Sequence, residues 1–237
     1  AIRPRLEECR DLANRWRERL LPLCGEQLDM DWDEFRPLRT QREEDWSDWL
    51  AWLLKTSQTG ILAHTLFRGQ VGFQPDALAL PMAEREKTLV DRRADIVITW
   101  RAKGMTHVEV KIEDKDFAKT YETARELREM NPGEWCDFIL IPERSKPAWM
   151  EVEQACSLTE SIKIMPILWD DVVRGLRRSL WVGKESVLWC AWAWTFCSVI
   201  EKKVLRLNPP KFDASRPEIQ PILHWLSILK INPEKKI

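Results

Sequence analysis

Two alternating runs, Ala94-Asp-Ile-Val-Ile-Thr-Trp100 and Met105-Thr-His-Val-Glu-Val-Lys-Ile112, are joined through Arg101-Ala102-Lys103-Gly104. Apolar and polar residues that alternate in this way mark strands whose two sides meet different surroundings. Gly104 supplies the positive φ that a three-residue hairpin loop needs at its last position. The stretch therefore predicts an antiparallel hairpin with its loop at 102–104, in which Arg101 faces Met105. The cross-strand pairs are then Trp100 with Thr106, Ile98 with Val108, Ile96 with Val110, and Asp95 with Lys111. A slip of one residue would set Ile96 and Ile98 against Glu109 and His107, so the apolar pattern fixes the side of the hairpin that each residue occupies.

Around the hairpin the chain alternates between helical and extended grammar. Residues 1 to 30 place Leu6, Leu12, Ala13, Trp16, Leu20 and Leu23 at helical spacings. After Thr40, Glu43, Trp46, Leu50, Leu53 and Leu54 share a helix face, which Thr59-Gly60 closes. Short runs of β type follow, ILAHTLF at 61–67 and, beyond a loop rich in Gly and Pro through Pro81, KTLVD at 87–91. With the two hairpin strands they read as an antiparallel meander. A helix from Asp116 to Met130, with Phe117, Tyr121, Ala124 and Leu127 on one side, stops at Asn131-Pro132-Gly133. Apolar strands at 135–142 and 162–169 then alternate with helices at 147–156 and from Asp170 onward, an arrangement that puts strands side by side beneath helices.

Composition sets the class. A chain of 237 residues with 44% hydrophobic and 32% charged residues is expected to be globular and soluble. The net charge of -1 excludes a surface that is basic throughout, so any contact with phosphate backbones must be local. Six cysteines without a C-x-x-C pair, beside only three histidines, argue against zinc. With no signal-like opening segment, free thiols in a reducing cytoplasm are expected. The run Val187-Leu-Trp-Cys-Ala-Trp-Ala-Trp-Thr-Phe-Cys-Ser-Val-Ile200 is shorter than the roughly 20 residues a bilayer requires. It reads as a buried helix, apolar enough all round to serve a homodimer contact as well, and no membrane is implied. The fourteen tryptophans read mostly as core.

Chemistry concentrates on the polar side of the hairpin. Glu109 and Lys111 point together, and the expected register sets Asp95 opposite Lys111 and diagonal to Glu109. Carboxylates forced together raise each other's pKa, and a hard cation relieves the strain. Mg²⁺ accepts one or two carboxylates, keeps waters and bridges to phosphate, while a neighbouring lysine positions the attacking water and stabilises developing charge. A short D…E-x-K pattern is also common in surface salt bridges; its setting on matched hairpin faces between helices favours the catalytic reading.

Asp95 followed by Glu109-Val110-Lys111 resembles the signature of the PD-(D/E)XK nuclease superfamily, and the element order from 41 to about 180 is similar to the common core of its restriction-endonuclease-like fold. Ala94 stands where that family often has proline, a frequent variation. The resemblance implies an α/β (α+β) fold with a central mixed four-stranded sheet flanked by helices, the core lying at 41–182 between helical extensions at 1–40 and 183–237. It implies that Asp95, Glu109 and the main-chain carbonyl of Val110 hold Mg²⁺ or Mn²⁺ while Lys111 assists the water that hydrolyses a phosphodiester, leaving a 5′-phosphate. The family's preceding helix often adds a glutamate. Glu43 is chosen, because it shares the apolar face of Trp46 and Leu50, and Glu44 is the reserve. Lys115 and Lys119, one and two helical turns beyond Lys111, and Arg92 and Arg93 are expected phosphate contacts; an exposed, solvated face is their plainer reading. DNA is the implied substrate rather than RNA, with a role in restriction or anti-phage defence. The near-neutral charge points to help from a homodimer or partner protein. The alternative is a non-catalytic nucleic-acid-binding or scaffold subunit on the same fold, although such relatives usually lose part of the site and all three residues stand here.

Overall fold

The computed structural model describes residues 2–20, 42–67, 82–88, 93–100, 104–113, 116–156 and 161–207. Its elements are α1 (Ile2–Leu20), α2 (Glu43–Thr56), α3 (Ile61–Phe67), β1 (Met82–Thr88), β2 (Arg93–Thr99), β3 (Met105–Val110), α4 (Ala118–Met130), β4 (Trp135–Ile141), α5 (Lys146–Cys156), β5 (Ile164–Leu168), α6 (Trp169–Val182) and α7 (Val187–Val199), which runs into a π-helical turn at Ile200–Val204. The fold is mixed α/β, and its sheet has five strands in the order β1-β2-β3-β4-β5 rather than the expected four. Strands β1, β2 and β3 form an antiparallel meander, whereas β4 and β5 continue from β3 in parallel. The central strand, β3, is thus where the pairing changes sense.

Helices cover both sides. Ile96, Ile98, Val108, Val110, Phe138 and Leu140 project into the larger core, with Trp46, Leu50, Leu53 and Leu54 of α2, Leu62 and Phe67 of α3, and Val172, Val173 and Leu176 of α6. The same core takes Ala13 and Trp16 from α1 and Trp189, Ala193 and Phe196 from α7. On the opposite side Ile139, Ile141 and Ile164 pack with Phe117 and Tyr121 of α4 and Trp149 of α5, and Val97 packs with Leu127. Burial of this extent on both faces explains the near-continuous apolar run of β4.

Three expectations need correction. The run at 61–67 is helix α3 and not a strand. Leu62, Ala63, Leu66 and Phe67 are buried at helical spacing, and the Thr65 hydroxyl donates to the Ile61 carbonyl at 2.8 Å, one turn back. The turn ahead of it is fixed by the Glu185 carboxylate, which accepts from Ser57 Oγ at 2.6 Å, from the Gln58 and Thr59 amides at 2.6 and 3.2 Å, and from the Thr59 hydroxyl. Close approach to α6 is allowed by Gly175, where a Cβ would stand 2.8 Å from Leu62 Cδ1. Strand β1 occupies 82–88 instead of 87–91; its MAEREKT sequence is charged because it forms a sheet edge, where charge discourages pairing with other chains. The hairpin register is displaced by two residues from the expected one. Ile96 pairs with Val108, Val97 with His107, Ile98 with Thr106 and Thr99 with Met105, so the loop falls at 101–103. Trp100 N donates to the Gly104 carbonyl at 3.2 Å and its indole N–H to Thr106 Oγ1 at 2.9 Å, and Gly104 holds φ at 108°. A slip of two keeps every side chain on its face, which is why alternation alone cannot choose between these registers.

The helices expected after Thr40, at 116–130, at 147–156 and from 170 are present as α2, α4, α5 and α6, and the run at 187–200 forms the buried helix α7. Its outer side leaves Val187 82% and Leu188 60% exposed, beside Trp192 and Trp52. Among the described residues no helix is long and apolar enough to cross a membrane. Cys136, Cys156, Cys190 and Cys197 are free thiols. That part of the N-terminal helical expectation beyond Leu20, and residues 208–237, lie outside the described residues.

Below α7 a buried ion pair ties the C-terminal turn to the core. Arg177 Nε and Nη2 donate to the Glu201 carboxylate at 2.6 and 2.8 Å, and the guanidinium lies 5.1 Å above the Trp16 ring, which stacks on Trp181. Neither partner touches solvent. Removing one partner strands a charge, so Arg177→Met is expected to cost about 3–5 kcal/mol in urea unfolding, and Arg177→Met with Glu201→Leu to recover most of it. A single variant as stable as the wild type would show that the pair carries none of this.

Candidate active site

Paired residues in a sheet share a face, so Val97 and His107 stand on the α4 side, and Asp95 and Glu109, each two residues further out, stand there with them. Continued one step, the register sets Asp95 opposite Glu109 rather than opposite Lys111. The Asp95 carboxylate accepts the Val110 N–H at 2.8 Å and so terminates the β2–β3 ladder. Lys111 follows β3 directly. Its amide donates to the Leu140 carbonyl at 2.9 Å, its own carbonyl accepts from Trp169 Nε1 at 3.1 Å, and its ammonium lies 3.3 Å from Glu109 Oε1. Beyond it the Ile112 carbonyl is held by Arg144, which also binds Val204 in the π-helical turn. All three expected residues therefore meet at the carboxyl end of β3, where parallel strands of open sheets present ligand sites.

The surroundings are tightly charged and nearly closed. Glu109 and Lys111 are buried, and Asp95 is half-buried. Behind Glu109, on the same face, His107 is fully buried with Nε2 3.6 Å from Glu109 Oε2 and Nδ1 3.2 Å from Asp137 Oδ1. Asp137, its register partner on β4, is also fully buried and accepts from Arg128 of α4. Sequence reasoning did not include His107, Asp137 or Arg128 in the site. One signal was available: Asp137 is the only charged residue in the otherwise apolar β4 run WCDFILI.

Burial pushes the Asp95 carboxyl up from 3.8 to about 7, helped by repulsion from Glu109 and opposed by the Val110 N–H, Lys111 and His107. Glu109 is also penalised by burial, yet His107 and Lys111 outweigh that and hold it below its ordinary value. For His107, burial alone would favour the neutral ring, but Asp137 and Glu109 prevail and raise it to about 9. The two carboxyls are thus driven apart: Glu109 stays ionised and Asp95 resists ionisation, a pattern that marks functional sites.

The other expected residues are less drawn in. Val110 closes β3 with its side chain in the larger core. Helix α2 packs on that same core, on the side of the sheet away from Asp95 and Glu109. Glu43 opens that helix and its side chain lies outside the described residues; Glu44 is exposed. Lys119 is exposed on the first turn of α4 and pairs with Asp116 at 2.8 Å. Arg92 and Lys115, and the side chain of Arg93, lie outside the described residues. Among the described residues no group of three or more His, Cys, Asp or Glu side chains is arranged to hold an ion. Two carboxylates are present, and Mg²⁺ commonly takes that number beside water and phosphate.

No family model, curated protein or solved structure matches the chain.

An acid whose folded pKa is raised favours the folded state at low pH and loses that contribution as pH rises, here through about 7 for Asp95. His107 has the same sign, its contribution being complete below 6.5 and lost through about 9. Asp95→Asn keeps an oxygen for the Val110 N–H and removes the charge. In chelator-treated buffer it is expected to melt above the wild type, by more at pH 8 than at pH 5, with a gain at pH 8 on the order of 5 °C. Identical melting curves at both pH values would mean that ionising Asp95 carries no penalty.

Proposed function

We propose that the chain is a metal-dependent nuclease of the PD-(D/E)XK kind, with a restriction-endonuclease-like core, acting on DNA. One observation carries the reading: Asp95 and Glu109 share a face of adjacent antiparallel strands, and Lys111 contacts Glu109 at 3.3 Å where the central strand ends. The sequence of a helix, an antiparallel meander, a helix and a parallel strand agrees with it.

The donor set fits a hard divalent ion. Glu109 Oε2 is buried without a hydrogen-bond partner among the described residues, and burial and the neighbouring Glu109 charge make the Asp95 carboxyl resist ionising, which a cation would relieve. Asp95 and Glu109 would hold Mg²⁺ or Mn²⁺, with the Val110 carbonyl as a further ligand that the resemblance offers. When bound, the ion neutralises phosphate charge and acidifies coordinated water. Lys111, fixed through both its main-chain groups, orients the attacking water and offsets negative charge on the phosphate as the new P–O bond forms and the bond to the 3′ oxygen breaks. The products are a 3′-hydroxyl and a 5′-phosphate. Arg92, Arg93, Lys115 and Lys119 serve as flanking phosphate contacts, and the apolar strip of Trp52, Val187, Leu188 and Trp192 supplies a surface for a second copy or a partner protein. A place in restriction or phage defence, within the cytoplasm, completes the proposal.

The reading as a non-catalytic subunit draws support from the closed Glu109–Lys111 pair and from the near-neutral charge. One assay separates the two. Purified protein is expected to cut linear or circular DNA with Mg²⁺ or Mn²⁺ and to stop with chelator, and Lys111→Ala to lose at least about 100-fold in rate with an unchanged circular dichroism spectrum. DNA left intact by the wild type with either metal, or cut equally well by the variant, would refute the assignment; cleavage confined to RNA would move the substrate class.

A further inference from the structure

One line of side chains, buried at its His107 and Asp137 links and half-buried at Arg128, is not explained by the ligands and lysine alone. Arg128 of α4 binds Asp137 on β4, Asp137 binds His107 Nδ1 on β3 at 3.2 Å, and the far edge of the same ring faces Glu109 Oε2 at 3.6 Å. His107 and Asp137 are fully buried register partners, so the sheet itself fixes their spacing. The two atoms that face each other, His107 Nε2 and Glu109 Oε2, are also buried without a hydrogen-bond partner among the described residues. They meet as an ion pair at 3.6 Å, and an arrangement kept only for stability would shorten that contact to a hydrogen bond, because a buried polar atom without one costs free energy.

Resting on the nuclease reading, we propose that His107 is a positioning residue: held from behind by Asp137 and Arg128, it aims the Glu109 carboxylate at the cation, with Oε2 left open as the ligand atom. Lys111 steadies the other oxygen, Oε1. The carboxylate is thereby gripped from two sides and cannot swing toward the α4 interior. Groups behind a metal ligand orient it in this manner, and their loss typically weakens metal binding by about 10- to 100-fold. His107 itself touches neither substrate nor metal.

Two substitutions separate its two contacts. His107→Asn places an amide nitrogen where Nδ1 stands and keeps the Asp137 hydrogen bond, but does not reach Glu109; His107→Gln extends to the Nε2 position and restores that reach. Calorimetric titration with Mn²⁺ is expected to show affinity about tenfold or more weaker in His107→Asn, largely recovered in His107→Gln, with both variants folded by circular dichroism. In cleavage, the metal concentration for half-maximal rate should rise while the rate at saturating Mn²⁺ changes little. If the wild type binds Mn²⁺ and His107→Asn binds it equally well, the positioning role is wrong and the nuclease reading stands. If the wild type binds no Mn²⁺, both fall. A measurement free of metal guards against misfolding: a double-mutant cycle of His107→Asn and Glu109→Gln in urea is expected to give a coupling of at least about fivefold in the unfolding equilibrium constant, and additive effects would overturn the proposed contact.

Discussion

An ionisable side chain withdrawn from water has to be paired, neutralised or given a ligand, and the central strand of this sheet, with the residue that follows it, carries three of them at alternate positions. His107 and Glu109 face the α4 side and Lys111 contacts Glu109 there, while Val108 and Val110 between them build the larger core. Everything around the strand answers that constraint. Asp137 and Arg128 serve His107, Lys111 and His107 serve Glu109, and Asp95 caps Val110. Only Asp95 is left poorly compensated, which is why its proton is held up to about 7.

The scaffold makes such a strand tolerable. Because β3 is central, both of its edges are hydrogen-bonded, to β2 on one side and β4 on the other. Backbone demands are thereby met largely by the neighbouring strands, the Val110 N–H taken by Asp95 excepted, and the other charged side chains remain available to one another. The main chain of Lys111 is then fixed by Leu140 of β4 and by Trp169 at the start of α6, the helix that follows β5. Placement of the ammonium thus depends on the parallel half of the sheet, and placement of Asp95 on the antiparallel half.

How much of this could be read in advance follows from periodicity. Alternation assigned Asp95, Glu109 and Lys111 to one face correctly, since a face depends only on parity. The same parity left the register open by two residues, and the Trp100 indole bonded to Thr106 belongs to a level of detail that alternation does not carry. Helix α3 was missed because a mostly apolar run of seven residues suits either a buried strand or a short helix; packing over Gly175 and the Glu185-bound turn decided it. Strand β1 was misplaced because an exposed edge tolerates MAEREKT, which has no apolar signature. Asp137 could have been flagged as a lone charge in an apolar strand, but its partners lie nine residues back on α4 and on a neighbouring strand, and only the fold unites them.

Whether Asp95 and Glu109 share one cation is the point on which the reading turns, and crystallography with Mn²⁺ addresses it directly. Crystals soaked in the ion and measured near its absorption edge should show a single strong anomalous peak bonded to carboxylate oxygens of both residues, with Glu109 Oε2 among the ligands. Peaks only elsewhere on the protein, or an ion on one carboxylate while the other still points away, would contradict a shared site.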